Sequence, residues 1–341
     1  MNLRIKLTPP ESYFLGDERI FEIGDGNKHY FIHSLQTPSQ TTLFGILRYL
    51  GIKNPSANME FDSVNIGEKS FNLLEPFDEE RPFGRINGIS PLYLMSGDNY
   101  YIRTPFDHKP GVFSNDKLAY NPFTVYRDDV LGTKKFPIEY EAKLMIADSW
   151  LCLSPSNDEY ITYKNLFSKD LHVGIKKKGN EESFVKKEYA VLEKGFSFVF
   201  FADVDDDFEF FTNRFVKPGF FATIEKISES PIPQDLWRKN PNVIYALSDI
   251  YLSSNDVQKI YNHCDFVCVK TRNFRGRTTN PIATTIKARY KRYNEIATLI
   301  NAGSIFIPKE ELRTSVEEIL TNNKYVQKAG FNHIVSRGVK L

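Results

Sequence analysis

Apolar and polar residues alternate at the start of the chain, Leu3, Ile5 and Leu7 against Arg4 and Lys6, a pattern that predicts a strand with one buried face. After Thr37-Pro38-Ser39-Gln40-Thr41-Thr42 the period changes. Leu43, Ile46, Leu47 and Leu50 recur at helical spacing, with Ser39 as N-cap and Gly51 at the end. The stretch 54–85 is polar, carries Pro55, Pro76 and Pro82, and reads as a long connection. Pro91 to Met95 is a short core strand, and 104–137 is a second irregular region. Connections of this length serve a function or pack onto a partner.

Leu171, Val173 and Ile175 then alternate up to Lys178-Gly179-Asn180, Phe184 to Leu192 returns, Lys194-Gly195 turns again, and Phe196 to Phe201 is a dense aromatic strand. A β-hairpin with a lysine-loaded tip is expected. Past Pro231 and Pro233 the composition resets, which sets a boundary near residue 235 and two units, 1–235 and 236–341. In the second, Val243 to Leu252 and Asp265 to Lys270 read as core strands, Gly303 to Pro308 as an apolar strand, Lys309 to Leu320 as a helix and Gly330 to Val335 as a closing strand. Between 286 and 300, Ile286, Tyr290, Tyr293, Ala297 and Ile300 fit a helix, while Tyr293, Ala297 and Leu299 fit a strand. Strands interspersed with a few helices imply an α+β class: two ferredoxin-like, RRM-like β-α-β-β-α-β units with long insertions and a protruding hairpin.

The 341 residues are 41% hydrophobic, 26% charged and 14% aromatic, an ordinary globular balance with a strand-rich bias. No apolar run approaches the roughly 20 residues that span a bilayer, and the alternating start is unlike a signal peptide, so a cytoplasmic protein without membrane contact is expected. Cys152, Cys264 and Cys268 are sparse and lack metal-ligand spacing; Cys264 to Cys268 reads as a buried strand. The run Asp203 to Asp207 opens like a calcium loop, but Phe208 and Arg214 stand where glycine and glutamate are required. No glycine-rich phosphate loop is present, and His29, His33, His108, His172, His263 and His333 form no recognisable catalytic pair, so neither a cofactor nor a reaction is expected.

A net charge of +1 gives no global attraction to nucleic acid, so any such binding is local. Basic residues do cluster, in Lys176-Lys177-Lys178 and from Lys270 through Arg272, Arg275 and Arg277 to Arg292 without an acidic residue. The latter contains Asn273, Gly276 and Pro281 and reads as a basic loop.

Four segments, in order, resemble the RAMP subunits of CRISPR effector complexes. They are Pro38-Ser39-Gln40-Thr41-Thr42-Leu43-Phe44-Gly45-Ile46-Leu47-Arg48; Leu92-Tyr93-Leu94 with Tyr100 to Pro105; His172-Val173-Gly174-Ile175 with Tyr189 and Gly195-Phe196-Ser197-Phe198; and Ala302 to Phe306 with Ala329-Gly330-Phe331-Asn332. The order and length look most like the third subunit of the Cmr complex, the type III-B effector, with its type III-A counterpart as the neighbouring alternative. The sequence departs from the family in placing three lysines after Gly174-Ile175 and in reducing the glycine-rich C-terminal loop to Gly330. What the resemblance implies is a non-catalytic subunit that grips the 5′ handle of CRISPR RNA beside the large polymerase-type subunit and adjacent RAMP backbone subunits, and meets target RNA indirectly. On that implication Ser39, Gln40, Thr41, Thr42 and Arg48 contact phosphates at the helix start, His172, Lys176, Lys177 and Lys178 reach RNA from the hairpin, and Lys270, Arg272, Arg275 and Arg277 do so from a mobile loop. The enzymatic alternative is a metal-independent RAMP endoribonuclease acting on the guide precursor.

Overall fold

The computed structural model describes residues 1–16, 29–53, 59–68, 71–74, 81–110, 120–122, 126–127, 130, 134–135, 149–153, 160–178, 181–211, 215–216, 219–228, 243–275, 277–279, 290–292 and 295–336. The alternation at the start is realised in strand Asn2–Thr8, with Leu3, Ile5 and Leu7 buried and Arg4, Lys6 and Thr8 half-buried on the opposite face. This strand lies inside a nine-stranded sheet. It pairs antiparallel with Phe196–Val204 on one side and Phe220–Lys226 on the other. Phe196–Val204 also pairs with Tyr93–Ser96 and Ile86–Ile89. Beyond them lie Asn99–Arg103, Ser149–Cys152 and Tyr160–Thr162, and Phe215–Val216 forms the opposite edge.

Helix Gln40–Leu50 covers one face of this sheet. Leu43, Phe44, Leu47 and Leu50 join Leu3, Ile5, Leu7, Phe198 and Phe200 in one core, as the helical spacing requires. The stretch 54–85, expected to be a connection, contains helix Met59–Ile66. Its apolar positions make no stripe, and tertiary contacts hold it: Asn65 donates to Gly51 O at 2.8 Å and Glu209 O at 3.0 Å, and accepts from Glu209 N at 3.2 Å.

In the second half the expected strand 243–252 breaks at Leu247-Ser248-Asp249. Ile244–Ala246 enters a four-stranded sheet with Cys264–Cys268, Ile305–Pro308 and Ile334–Val335. Ile250–Tyr251 enters a separate three-stranded sheet with Ala297–Ile300 and Thr271–Phe274. The ambiguous stretch 286–300 is strand at Tyr290–Arg292 and Ala297–Ile300. Helix Ser254–His263 was not anticipated, although Ser253 and Asp256 stand at capping distance in the sequence; Ser253 Oγ accepts from Asp256 N at 3.2 Å. The helix expected at 309–320 is a short 3₁₀ turn, Glu310–Leu312, followed by Arg313–Thr321. The Cys264 thiol is buried, which pushes its pKa up to about 12 and suits a structural role.

Of the closing strand expected at 330–335, only Ile334–Val335 pairs. Gly330 and Asn332 take positive φ, 87° and 57°, and turn the chain so that fully buried Phe331 enters the core of the first half. There its ring stacks on Phe71 at 5.7 Å and meets Phe274 edge-on at 6.2 Å. A second apolar seam, on the far face of the large sheet, sets Leu247 and Val335 against Tyr93, Met95, Tyr100, Ile102 and Val199. The division drawn at residue 235 lies outside the described residues.

Two outcomes are expected. Phe331→Ala lowers stability by about 3–5 kcal/mol in urea unfolding, the cost of emptying an aromatic core site. Burial holds the His333 imidazole down to about 4, against the opposing pull of the Gln327 and Ile89 carbonyls. The unfolded chain therefore binds the proton first, and stability falls as pH drops from about 6.5 toward 4, by up to about 3 kcal/mol. In urea titrations across that window, His333→Gln flattens the slope.

Candidate nucleic-acid interface

At the start of helix Gln40–Leu50 the four leading N–H groups lack helical partners, and Ser39 satisfies one: its Oγ accepts from Thr42 N at 3.3 Å. The hydroxyls of Thr41 and Thr42 lie 3.0 and 2.9 Å from the same oxygen, a half-buried cluster of three hydroxyls on the positive end of the helix dipole. No acidic residue occupies the first turn.

Helical geometry separates the five residues expected to act here. Positions 40, 44, 47 and 48 share one face, and that face is inward. Gln40 is buried, and its Oε1 has no hydrogen-bond partner among the described residues. Arg48 is a correction to the sequence expectation. Its side chain is 4% exposed, and it donates from Nε to Ile66 O at 3.0 Å and from Nη2 to Gly67 O at 2.9 Å. These carbonyls end helix Met59–Ile66, where the dipole is negative, so the guanidinium caps that helix and is not free to bind a phosphate. Burial brings its pKa down to about 10, which leaves it charged at neutral pH.

The C-terminal turn lies against the helix start. A Cβ on Gly330 would stand 2.5 Å from Gln40 Oε1 and 2.8 Å from Ser90 O, so only glycine fits. The first and last of the four resembling segments are thus brought together, a juxtaposition that no spacing along the chain expressed.

The hairpin is longer than expected. Phe167–Lys178 and Glu181–Leu192 pair over 12 residues, roughly 40 Å at about 3.4 Å per residue. His29–Leu35 adds a parallel strand alongside Glu181–Leu192. Lys176, Lys177 and Lys178 belong to the strand and not to the turn, whose residues 179–180 lie outside the described residues. The register sets Lys177 and Lys178 opposite Glu182 and Glu181. His172 is exposed, pairs with Asp170 at 2.8 Å and packs on Tyr189 at 4.5 Å between ring centres. Tyr189 in turn meets Phe14 at 5.4 Å, and Lys187 Nζ lies 5.7 Å from that ring. Phe14 and Lys187 were not singled out in the sequence, where nothing joins residue 14 to residue 187. Leu171 and Val173 are exposed on the opposite face of the hairpin.

The basic segment is not the mobile loop expected. Thr271–Phe274 pairs with Ala297–Ile300, and Arg277–Thr279 pairs with Tyr290–Arg292. Arg272 is held by Asp249, from Nε at 3.1 Å and Nη2 at 2.6 Å, and the same carboxylate accepts from Ala302 N at 3.0 Å. That arginine therefore pins the break between strands 244–246 and 250–251. Lys270 is exposed and Arg275 half-buried, and neither has an ion pair among the described residues. Arg277 stands opposite Arg292 in the register. Among the described residues no group of His, Cys, Asp or Glu is placed to hold a metal, and no helix is long and apolar enough to cross a membrane.

Substitution separates scaffold from surface. Arg48→Met strands two buried carbonyls and lowers the urea midpoint, by about 2 kcal/mol or more in stability. Ser39→Ala costs about 1 kcal/mol, as loss of a cap does.

No family model and no curated protein matches the sequence. Solved structures do. A chain of type III-B Cmr-beta bound to cognate target RNA, solved by cryo-EM, superposes with a TM-score of 0.52 at 16% identity, over 98% of this chain and 96% of that one. The same assembly with AMPPnP gives 0.49 at 16% identity over the same shares of both chains. A chain of the Csm3-Csm4 subcomplex of a type III-A CRISPR-Cas interference complex gives 0.38 at 13% identity, over 92% and 96%. From end to end, the protein has the fold of a chain of type III-B Cmr-beta.

Proposed function

We propose that this protein is a non-catalytic, RNA-binding subunit of a type III CRISPR effector, the counterpart of the third subunit of the Cmr complex, built on two ferredoxin-like units. It holds the 5′ handle of CRISPR RNA in the cytoplasm, beside the large polymerase-type subunit and the adjacent backbone subunits. The observation that carries the reading is the end-to-end likeness of fold to a chain of target-RNA-bound type III-B Cmr-beta. Two local features support it. The hydroxyl cluster of Ser39, Thr41 and Thr42 faces the positive end of an uncharged first turn, chemistry suited to a phosphate. The hairpin carries His172, Tyr189 and Lys187 on a long arm, and Phe14 from the N-terminal segment packs beside them, which supplies rings to stack on bases and a cation for the backbone.

The test is to purify the chain with its neighbours, extract with phenol and look for a bound small RNA, then to titrate guide RNA at several salt concentrations. Ser39→Ala with Thr41→Ala is expected to weaken guide binding. Alanine at Lys176, Lys177 and Lys178 is expected to flatten the salt dependence by at most about one unit of slope for each phosphate that is no longer neutralised. Absence of bound RNA overturns the reading. Cleavage of a repeat transcript by the pure chain replaces it with the endoribonuclease alternative.

A further inference from the structure

The large sheet has two faces, and the one turned away from helix Gln40–Leu50 is covered only in part. Over Tyr93–Ser96, Asn99–Arg103 and part of Phe196–Val204, the second half supplies Leu247 and Val335 as a lid. On strands Asn2–Thr8, Phe220–Lys226 and Phe215–Val216 the outward residues are left half-buried or exposed. Among them are two phenyl rings. Phe221 and Phe215 are direct cross-strand partners, 51% and 50% exposed, with ring centres 5.2 Å apart at 63°.

Their surroundings are polar. The register places Thr8 opposite Phe221, Lys6 opposite Thr223 and Arg4 opposite Glu225. Thr8 Oγ1 lies 2.9 Å from Ser197 Oγ. The carboxylate on this strip, Glu225, is engaged by Arg4 from Nε at 3.0 Å, and Arg4 also donates to Tyr100 Oη at 2.9 Å. Lys6 has no ion pair among the described residues, so the strip carries one uncompensated positive charge beside two exposed rings.

An exposed aromatic pair on a sheet otherwise bearing threonine and lysine is not explained by folding, since burying those rings inward would stabilise the chain. A protein partner that covered the pair through apolar contact would also have to bury Lys6, Thr8 and Thr223. Unpaired nucleobases suit this composition: they stack on sheet aromatics, while their phosphates seek a cation and their hydroxyls seek polar partners. Diagonal neighbours on paired strands lie about 7–8 Å apart, so Lys6 is within reach of the phosphate of a nucleotide whose base rests on Phe221.

We propose that this strip is a stacking platform for single-stranded RNA, with Phe215 and Phe221 receiving an unpaired base and Lys6 its phosphate. The inference rests on the RNA-binding reading above and adds a site separate from the helix start and the hairpin. It predicts that binding here is blind to sequence and rejects a duplex, because stacking needs a base free of its partner.

The experiment uses the full chain with a short labelled single-stranded RNA, the same RNA annealed to its complement, and several salt concentrations. Phe215→Ala with Phe221→Ala removes exposed rings only, and an unchanged melting temperature verifies that the fold is kept. This double variant is expected to weaken single-strand binding roughly tenfold while leaving duplex binding and the salt slope as they were. Lys6→Ala is expected to reduce the slope by about one. Phe221→Trp is expected to bind the single strand as the parent does, with tryptophan emission quenched by the stacked base. If the double variant keeps parental affinity for the single strand, the platform is rejected and RNA binding elsewhere on the chain stands. If it keeps RNA affinity but loses a neighbouring subunit on purification, the strip is a protein contact and the proposal is overturned. If the parent binds no RNA, both readings fall together.

Discussion

A tight turn at Gly330-Phe331-Asn332 decides how the two halves of this chain meet. Asn332, held at a φ of 57°, spends every polar group it has. Its side chain exchanges hydrogen bonds with both backbone groups of Tyr251, at 2.8 and 3.0 Å, and donates to Leu320 O at 3.0 Å. Its own N–H donates to Asp249 O at 3.0 Å, and its carbonyl accepts from Gln327 Nε2 at 3.1 Å. The strand Ile250–Tyr251 and the helix Arg313–Thr321 are thereby anchored to one residue, while the preceding Phe331 reaches into the core of the first half and Gly330 presses on Gln40. The position of the helix start relative to the second half follows from that turn.

The same economy governs the charges. A buried cation requires partners, and the arginines that found them became scaffold: buried Arg48 caps a neighbouring helix, and half-buried Arg272 binds Asp249. Cations at the surface without an ion pair among the described residues stay open to ligands, as at half-buried Lys6 and Arg275 and exposed Lys270. With a net charge of +1, affinity for a polyanion has to arise from such local sets, each assembled by pairing between strands.

Much of the site was legible residue by residue and illegible as an arrangement. The Ser39 cap, the helix after it and the hairpin after Phe167 follow from local pattern, and each is present. Arg48 misled because four polar residues precede the apolar stripe and suggest a wet helix face, whereas residue 48 lies one turn beyond Phe44 on the buried side. The run from Lys270 misled because loop-forming residues interrupt both periods, while strand pairing with Ala297–Ile300 and Tyr290–Arg292 supplied the order that propensity lacked. Phe215 and Phe221 passed as two aromatics among many.

Sequence by itself determined the elements whose information is local: the alternating strand Asn2–Thr8, the capped helix Gln40–Leu50, the hairpin, and the α+β character of the whole. Periodicity and capping depend on neighbours within a turn or two, and they survive without knowledge of the rest of the chain. Tertiary structure alone decided which cations turn inward, that a C-terminal turn closes on an N-terminal helix, and that two phenylalanines share an uncovered sheet face with a lysine from the first strand. These are relations between residues far apart along the chain, and they exist only once strand register and burial have been set together.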